Sequence, residues 1–451
     1  MTNLLLTFYG DDFTGSTDAL EGLALNGVPA ALFLEPPSPD QLVGRFAGLR
    51  AVGVAGASRS MSPAEMEAEL RPRFAALKAL GAPLTHYKVC STFDSSPAVG
   101  SIGRAADIGA EVFGASAIPL MVGTPGLKRY VVFGNLFAAV GETTYRIDRH
   151  PTMSRHPVTP MREADLRLHL GQQTDKTIAL IDMRHLAEGD AAVAARFQSM
   201  VADGAEIVLF DTLDEAHLPI IGRLLWSLCG KQSLFVIGSS GVEYALTAHW
   251  QAAGLVEKSP PPEPADHAGQ IVVISGSASP VSAEQIDWAE ANGFCAIRLD
   301  SAALVDPDAA DSAREAAIAP ALTALGSGQS VVLYSTRGPD DPAIAATKAR
   351  LPAANIGQRL GTQQGLVLRA LLERVPQLRR VCVAGGDTCS HAVRQLDIQA
   401  LEVLAPLAPG GPLCRATART PRFDGLEIAL KGGQVGKADF YGVVLNGGCQ
   451  A

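Results

Sequence analysis

The residues best suited to chemistry open the chain. Asp11 and Asp12 stand side by side after the apolar run Leu4–Tyr9 and ahead of Phe13-Thr14-Gly15-Ser16-Thr17. Two carboxylates at a strand exit can accept the proton of a substrate hydroxyl or help hold magnesium. A single aspartate capping the next helix is the plainer alternative, but one carboxylate suffices for a cap. Dehalogenase-like phosphoryl chemistry wants aspartates two apart, and these are adjacent. Asp12 is therefore the favoured general base, with Asp387 as its rival.

A second turn reads His86-Tyr-Lys88-Val-Cys90-Ser91-Thr92-Phe-Asp94-Ser-Ser-Pro97. Lys88, Ser91 and Thr92 supply the donors that a carboxylate or sugar hydroxyls require, although a Ser-rich turn is also ordinary loop chemistry. Arg149-His150-Pro151 and His156-Pro157-Val-Thr159-Pro-Met161 form a proline-stiffened loop in which Arg149, Arg155 and His156 could clamp an anion. Ile237-Gly-Ser-Ser-Gly241 is a further candidate anion nest.

Three Gly-rich turns lie in the second half: Ser275-Gly-Ser277-Ala-Ser279, Ala384-Gly385-Gly386-Asp387-Thr388, and Lys431-Gly432-Gly433-Gln-Val-Gly436. Small residues let backbone N–H groups approach phosphates, and a following helix start adds a favourable dipole. Each turn is weak evidence by itself, since glycine is the default turn residue. Three at strand ends in one half point to a nucleotide site. Neither a Walker A nor a GxGxxG fingerprint is present. No HExxH and no clustered Cys/His set occurs, so no protein-built metal site is expected.

The elements that position these turns repeat one rhythm. Short apolar runs such as Ala51–Ala55, Tyr87–Cys90, Tyr130–Phe133, Thr177–Ile181, Ile207–Phe210 and Leu234–Ile237 alternate with Ala/Leu/Glu-rich helical stretches. After residue 270 come Ile271–Ile274, Ala296–Leu299, Val331–Tyr334, Val381–Ala384 and a hairpin-like pair near Glu402–Leu404 and Leu426–Leu430. This predicts α/β architecture in two domains, each a mainly parallel sheet flanked by helices, with ligands beyond the carboxyl strand ends. The Pro-rich stretch 256–269 reads as an extended linker. It separates a domain over 1–255 from one over 270–451.

Composition sets the bounds. At 451 residues, two cores are expected. Lys+Arg 37 against Asp+Glu 46, a formal net charge of -9, argues against a nucleic-acid partner. The 7 cysteines are scattered and never in CxxC spacing, which fits a reducing compartment rather than a disulfide framework. No run has the length of a membrane span, and the N-terminal apolar stretch is too short for a signal region. A soluble, cytoplasmic protein is expected, with no membrane partner and with room for a homo-oligomer.

Taken together, the turns resemble the four-carbon acid sugar kinase family, a former domain of unknown function. The resemblance rests on Asp11-Asp12-Phe13-Thr14-Gly15, the Lys88 strand with its Ser91-Thr92 turn, His156-Pro-Val-Thr-Pro-Met161 and Gly385-Gly386-Asp387-Thr388, and it runs from Gly10 to about Phe440. It implies an N-terminal domain that binds the sugar acid, a C-terminal domain that binds ATP, and an active site in the cleft between them. Asp11, Asp12, Ser91 and Thr92 would line the substrate side. Ser275, Ser277, Gly385, Gly386, Asp387, Thr388, Gly432 and Gly433 would line the nucleotide side. The implied partners are a small sugar acid, ATP and Mg2+, with the magnesium bridging phosphates.

Cys-Ser-Thr-Phe-Asp-Ser-Ser resembles the 3-oxo-tetronate 4-kinase branch; threonate and erythronate branches carry Asp-Ser-Thr-Leu-Arg-Gly there. Pro119-Leu-Met-Val-Gly-Thr-Pro-Gly126 departs from the Pro-Ala-Phe-Pro expected of 3-oxo-tetronate enzymes. A kinase for a related branched acid such as 3-oxo-isoapionate is the alternative. Two readings from other classes are a non-catalytic two-lobed sugar-acid sensor and a hydrolase using Ser239, which lacks the GxSxG elbow spacing.

Overall fold

The computed structural model describes residues 3–156, 158–258, 260, 262–350 and 353–448, with residues 353–355 described by backbone alone. Pro157 of the His-Pro loop, Ser259 and Pro261 of the linker, and Cys449 lie outside the described residues. The chain divides into two compact units, Met1–Ala31 with Glu35–Pro260, and Leu32–Leu34 with Pro261–Ala451.

The first unit carries β1 (Leu6–Gly10), the first half of β2 (Ala30–Phe33), β3 (Ala51–Ala55), β4 (Leu84–Lys88), β5 (Ile118–Met121), β6 (Arg129–Val132), β7 (Asn135–Val140), β8 (Thr143–Arg146), β9 (Ile178–Ile181), β10 (Ile207–Phe210) and β11 (Leu234–Gly238). Its main sheet runs β3-β1-β4-β11-β5-β10-β9, and the neighbouring strands along it pair in parallel. Strands buried on both faces explain the unbroken apolar runs. Helix Pro63–Ala79 starts on a Ser62/Glu65 capping box with Pro63 at its first position. It presses Phe74 against Tyr9, Tyr87, Phe113 and Phe235, with ring centroids 5.3 to 6.1 Å away. This aromatic cluster fixes β1 and β4, whose ends carry the site.

One expectation changes here. Tyr130–Phe133 lies at β6, but β6, β7 and β8 form a separate antiparallel sheet and do not join the parallel one. Short polar-rimmed hairpin strands share the apolar composition of buried strands, so composition could not separate them.

The second unit carries β12 (Ile271–Ser275), β13 (Cys295–Arg298), β14 (Val331–Tyr334), β15 (Arg380–Ala384), β16 (Ile398–Ala405), β17 (Leu413–Ala418) and β18 (Glu427–Lys431), in the order β13-β14-β12-β15-β18-β17-β16. β12 to β15 and β18 pair in parallel, whereas β17 pairs antiparallel with both β16 and β18. The hairpin expected between 402 and 426 is therefore two reversals, with Leu413–Ala418 inserted. The segment after Pro261 is no free spacer. Ala265 and Ala268 N–H donate to Gly447 and Leu445 carbonyls at 2.8 and 2.9 Å, and Arg380 Nη2 donates to Asp266 O at 2.7 Å.

Candidate active site

In the first unit the carboxyl ends of four strands stand level, because Gly10 pairs with Ala55 and Lys88, and Gly238 with Lys88. The turns after β1, β3, β4 and β11 therefore emerge together. Arg59, in the turn after β3, binds both aspartates. Its Nη2 donates to Asp11 Oδ1 and Asp12 Oδ1, each at 2.9 Å, and its Nε donates to Asp11 Oδ2 at 3.2 Å. Ser58 Oγ and Tyr87 OH, 2.9 Å apart, anchor that turn to β4. Sequence reasoning missed Arg59. The available signal was a basic residue directly after a strand that had been found.

The two carboxylates differ sharply. Burial pushes Asp11 up to about 6, against the pull of the Arg59 guanidinium. Burial also opposes ionisation of Asp12, but Arg59, Lys88, the Thr14 hydroxyl and the Gly15 N–H outweigh it and hold that carboxyl below its usual value. Asp12 is the N-cap of helix Phe13–Leu25: its Oδ1 accepts from Gly15 N at 2.9 Å and its Oδ2 from Thr14 Oγ1 at 2.8 Å. The expected proton acceptor is thus a low-pKa carboxylate with both oxygens engaged, which suits charge placement better than proton transfer. Lys88, buried at the end of β4, lies 3.4 Å from Asp18 Oδ2.

The Ser-Thr turn after β4 holds Phe93 at φ 55, a left-handed conformation costly for a bulky side chain and stabilised by its complete burial. Thr92 Oγ1 donates to Asp94 Oδ1 at 2.5 Å. Thr159 Oγ1 reaches Asp94 Oδ2 at 3.4 Å and His156 Nδ1 at 2.9 Å. The structure therefore brings His156 to the Ser91-Thr92 turn through Asp94 and Thr159. Ser91 is half-buried, whereas Arg149 and Arg155 are exposed on the loop surface. Burial pushes the Cys90 thiol up, so it stays protonated. Ser239 is structural: its Oγ donates to Val122 O and meets Thr124 Oγ1, both at 2.7 Å, and accepts from Gly241 N at 3.1 Å.

In the second unit the three Gly-rich turns leave adjacent strands, since Ser275, Ala384 and Lys431 share one register row. They touch each other. Gly276 N donates to Ala384 O and Gly385 N to Lys431 O, both at 2.9 Å. Gly385 has φ 116, and a methyl group on it would come within 3.3 Å of Ser277 N. A methyl group on Gly433 would lie 2.3 Å from Ser277 Oγ. Gly386 begins helix Gly386–Val393, and a methyl group there meets nothing within 4 Å. Thr388 is buried and donates to Gln364 Oε1 at 3.2 Å, a residue not anticipated. Asp387 is exposed at the helix start with no side-chain hydrogen bond among the described residues. Lys431 Nζ is fully buried 5.7 Å from the Phe440 ring, and burial pushes its amine down.

Residues 6–246 match the family described as "Sugar-binding N-terminal domain", and residues 272–441 match "Nucleotide-binding C-terminal domain". The chain belongs to the four-carbon acid sugar kinase family. It is a carbohydrate kinase that draws its phosphoryl group from ATP. A 3-oxo-isoapionate kinase of Paraburkholderia graminis is 50% identical over 98% of this chain and 94% of its own. A 3-oxo-tetronate kinase of Pseudomonas fluorescens is 31% identical over 98% of this chain and 96% of its own. Among solved structures, Haemophilus influenzae protein HI1011 shares the fold of this kinase, with TM-score 0.72 at 23% identity over 98% of this chain and 100% of that one. No described helix is long and apolar enough to cross a membrane.

Proposed function

We propose that this kinase transfers the γ-phosphoryl group of ATP to a primary hydroxyl of a branched 3-oxo sugar acid, 3-oxo-isoapionate. The observation that carries the choice is the 50% identity over nearly the whole chain to a relative of that name, against 31% to those named for 3-oxo-tetronate. The divergent segment Pro119–Gly126 points the same way, because β5 ends inside it at the carboxyl edge of the substrate sheet.

In this reading residues 1–255 bind the acid and 270–451 bind the nucleotide. Ser91, Thr92 and His156 hold substrate oxygens, while Asp11, Asp12 and Lys88 fix the charge pattern beneath them and Arg149 sits at the rim. Ser275, Ser277, Gly385, Gly386, Thr388, Gly432 and Gly433 form the phosphate cradle. The contacts among these turns support it, since only small residues let backbone N–H groups converge so closely.

Phosphoryl transfer asks for positioning and charge neutralisation more than for covalent chemistry. Asp387 is the better base: its carboxylate is exposed at the cradle and uncommitted, whereas both oxygens of Asp12 are engaged. Magnesium would ride on the phosphates and neutralise their charge.

ADP release across a panel of four- and five-carbon aldonic and 3-oxo acids tests the proposal. The highest kcat/KM is expected with 3-oxo-isoapionate. A higher value for 3-oxo-tetronate would reassign the substrate, and ligand binding without any ADP release would favour a sensor.

A further inference from the structure

We propose that Arg129 receives the carboxylate of the sugar acid; the proposal rests on the functional reading above only in requiring an anionic acid as substrate.

The argument begins with charge. A sugar acid is an anion at neutral pH, and its carboxylate needs a cation that is not already neutralised. Around the substrate turns Arg149 and Arg155 are exposed to solvent, and the more buried cations are committed. Arg59 is held by Asp11 and Asp12, Lys88 faces Asp18, Arg146 pairs with Asp148, and Arg167 with Asp165. Arg129 differs. Its Nη1 donates to the carbonyls of Leu127, Lys128 and Ala139 at 3.0, 3.2 and 3.4 Å, which fixes the guanidinium plane without neutralising it. Its Nε is buried and has no hydrogen-bond partner among the described residues. No carboxylate among those residues pairs with it. A buried N–H of a charged group left without a partner is costly, and a ligand oxygen is the natural remedy.

Its place in the fold agrees. Thr124 and Arg129 bridge backbone to backbone, Thr124 N to Arg129 O at 2.9 Å and Arg129 N to Thr124 O at 3.2 Å. Thr124 closes the segment after β5 and bonds Ser239 in the turn after β11. Arg129 is thereby tied to the carboxyl edge where the substrate turns emerge. Burial first, and the Arg129 charge second, lower the proton affinity of the His150 ring. His150 Nδ1 accepts from Thr152 and Met153 N–H at 3.2 and 3.1 Å, so this network assigns the ring proton to Nε2, a second donor near Arg129. The segment that anchors Arg129 is the one whose sequence departs from the 3-oxo-tetronate pattern.

The test compares wild type, Arg129→Lys and Arg129→Ala on the best acid of the panel and on its neutral primary amide, with thermal melts to verify folding. Arg129→Ala is expected to raise KM for the acid about 10- to 100-fold, leave the amide's kcat/KM within a few-fold of wild type, and recover partly with added guanidinium. Arg129→Lys keeps the charge without the planar fork and should fall between. Equal losses on acid and amide, or an unchanged KM for the acid, would overturn the assignment. If wild type turns over none of the acids, the functional reading fails. Arg129 is then judged by calorimetry: acids that bind wild type but not Arg129→Ala uphold it, and equal binding or no binding to either sinks it.

Discussion

Arg59 Nη2 lies 2.9 Å from Asp12 Oδ1 while also bonding Asp11. One guanidinium thus holds two neighbouring carboxylates together where they would otherwise repel; burial prevails over it at Asp11, while Lys88, Thr14 and the Gly15 N–H add to it at Asp12. Asp12 stays ionised as a helix cap, and Asp11 takes up its proton near pH 6. The consequences reach both turnover and stability.

Asp387→Asn is expected to lower kcat on the order of a hundredfold or more while ATP still binds, because an amide cannot accept the hydroxyl proton. Asp12→Asn should mainly lower stability, on the order of 3 kcal/mol, by leaving Arg59 and Lys88 short of negative charge, and should raise KM for the acid. Steady-state kinetics with denaturant melts separate the two. A catalytically dead, fully stable Asp12→Asn beside an active Asp387→Asn would return the base to Asp12.

Gly385→Val should abolish tight ATP binding, and Gly386→Ala should leave it nearly intact. The first position needs φ 116 and has Ser277 N close by, at a strain of about 1–3 kcal/mol for a branched residue. The second has open space where the methyl group would go. Calorimetry with ATP reads both, and sugar-acid affinity should stay unchanged in each. Equal damage from the two substitutions would make the turn a structural element.

Stability should carry the mark of Asp11. Its carboxyl binds a proton more tightly folded, near pH 6, than unfolded, near 3.8. The folded state therefore gains stability as pH falls from 7 to 5, and loses that gain as pH rises through 6. Relative to Asp11→Asn, wild type should gain about 1 kcal/mol between pH 7 and pH 5. Urea midpoints of the two proteins at both pH values measure it. A constant difference would show that Asp11 is ionised throughout.

Ser239→Ala should keep kinase kcat while losing about 1–3 kcal/mol of stability, since Val122 O, Thr124 Oγ1 and Gly241 N would lose their buried partner. Loss of turnover at full stability would instead restore Ser239 as a chemical group.

Much of this was legible in the sequence because it is local. The turns after β1, β4, β12, β15 and β18 announce themselves by glycine, hydroxyl and aspartate residues directly behind apolar runs, and a parallel sheet obliges such turns to gather on one edge. Asp12 as a cap was legible too, as the plainer alternative. Tertiary structure decided the rest. That Arg59 neutralises Asp11 and Asp12 follows from β3 lying beside β1, and no spacing along the chain encodes a contact 48 residues away. Arg146 and Arg167 find their carboxylates two residues away in the chain, at Asp148 and Asp165, whereas the small antiparallel sheet brings Arg129 a carbonyl, Ala139 O, and no carboxylate among the described residues. The difference between Gly385 and Gly386 lies in backbone angle and free space, which residue type alone does not report. Residue type fixes what a group can do; neighbours distant in sequence set its charge, its burial and whether it is free to do it.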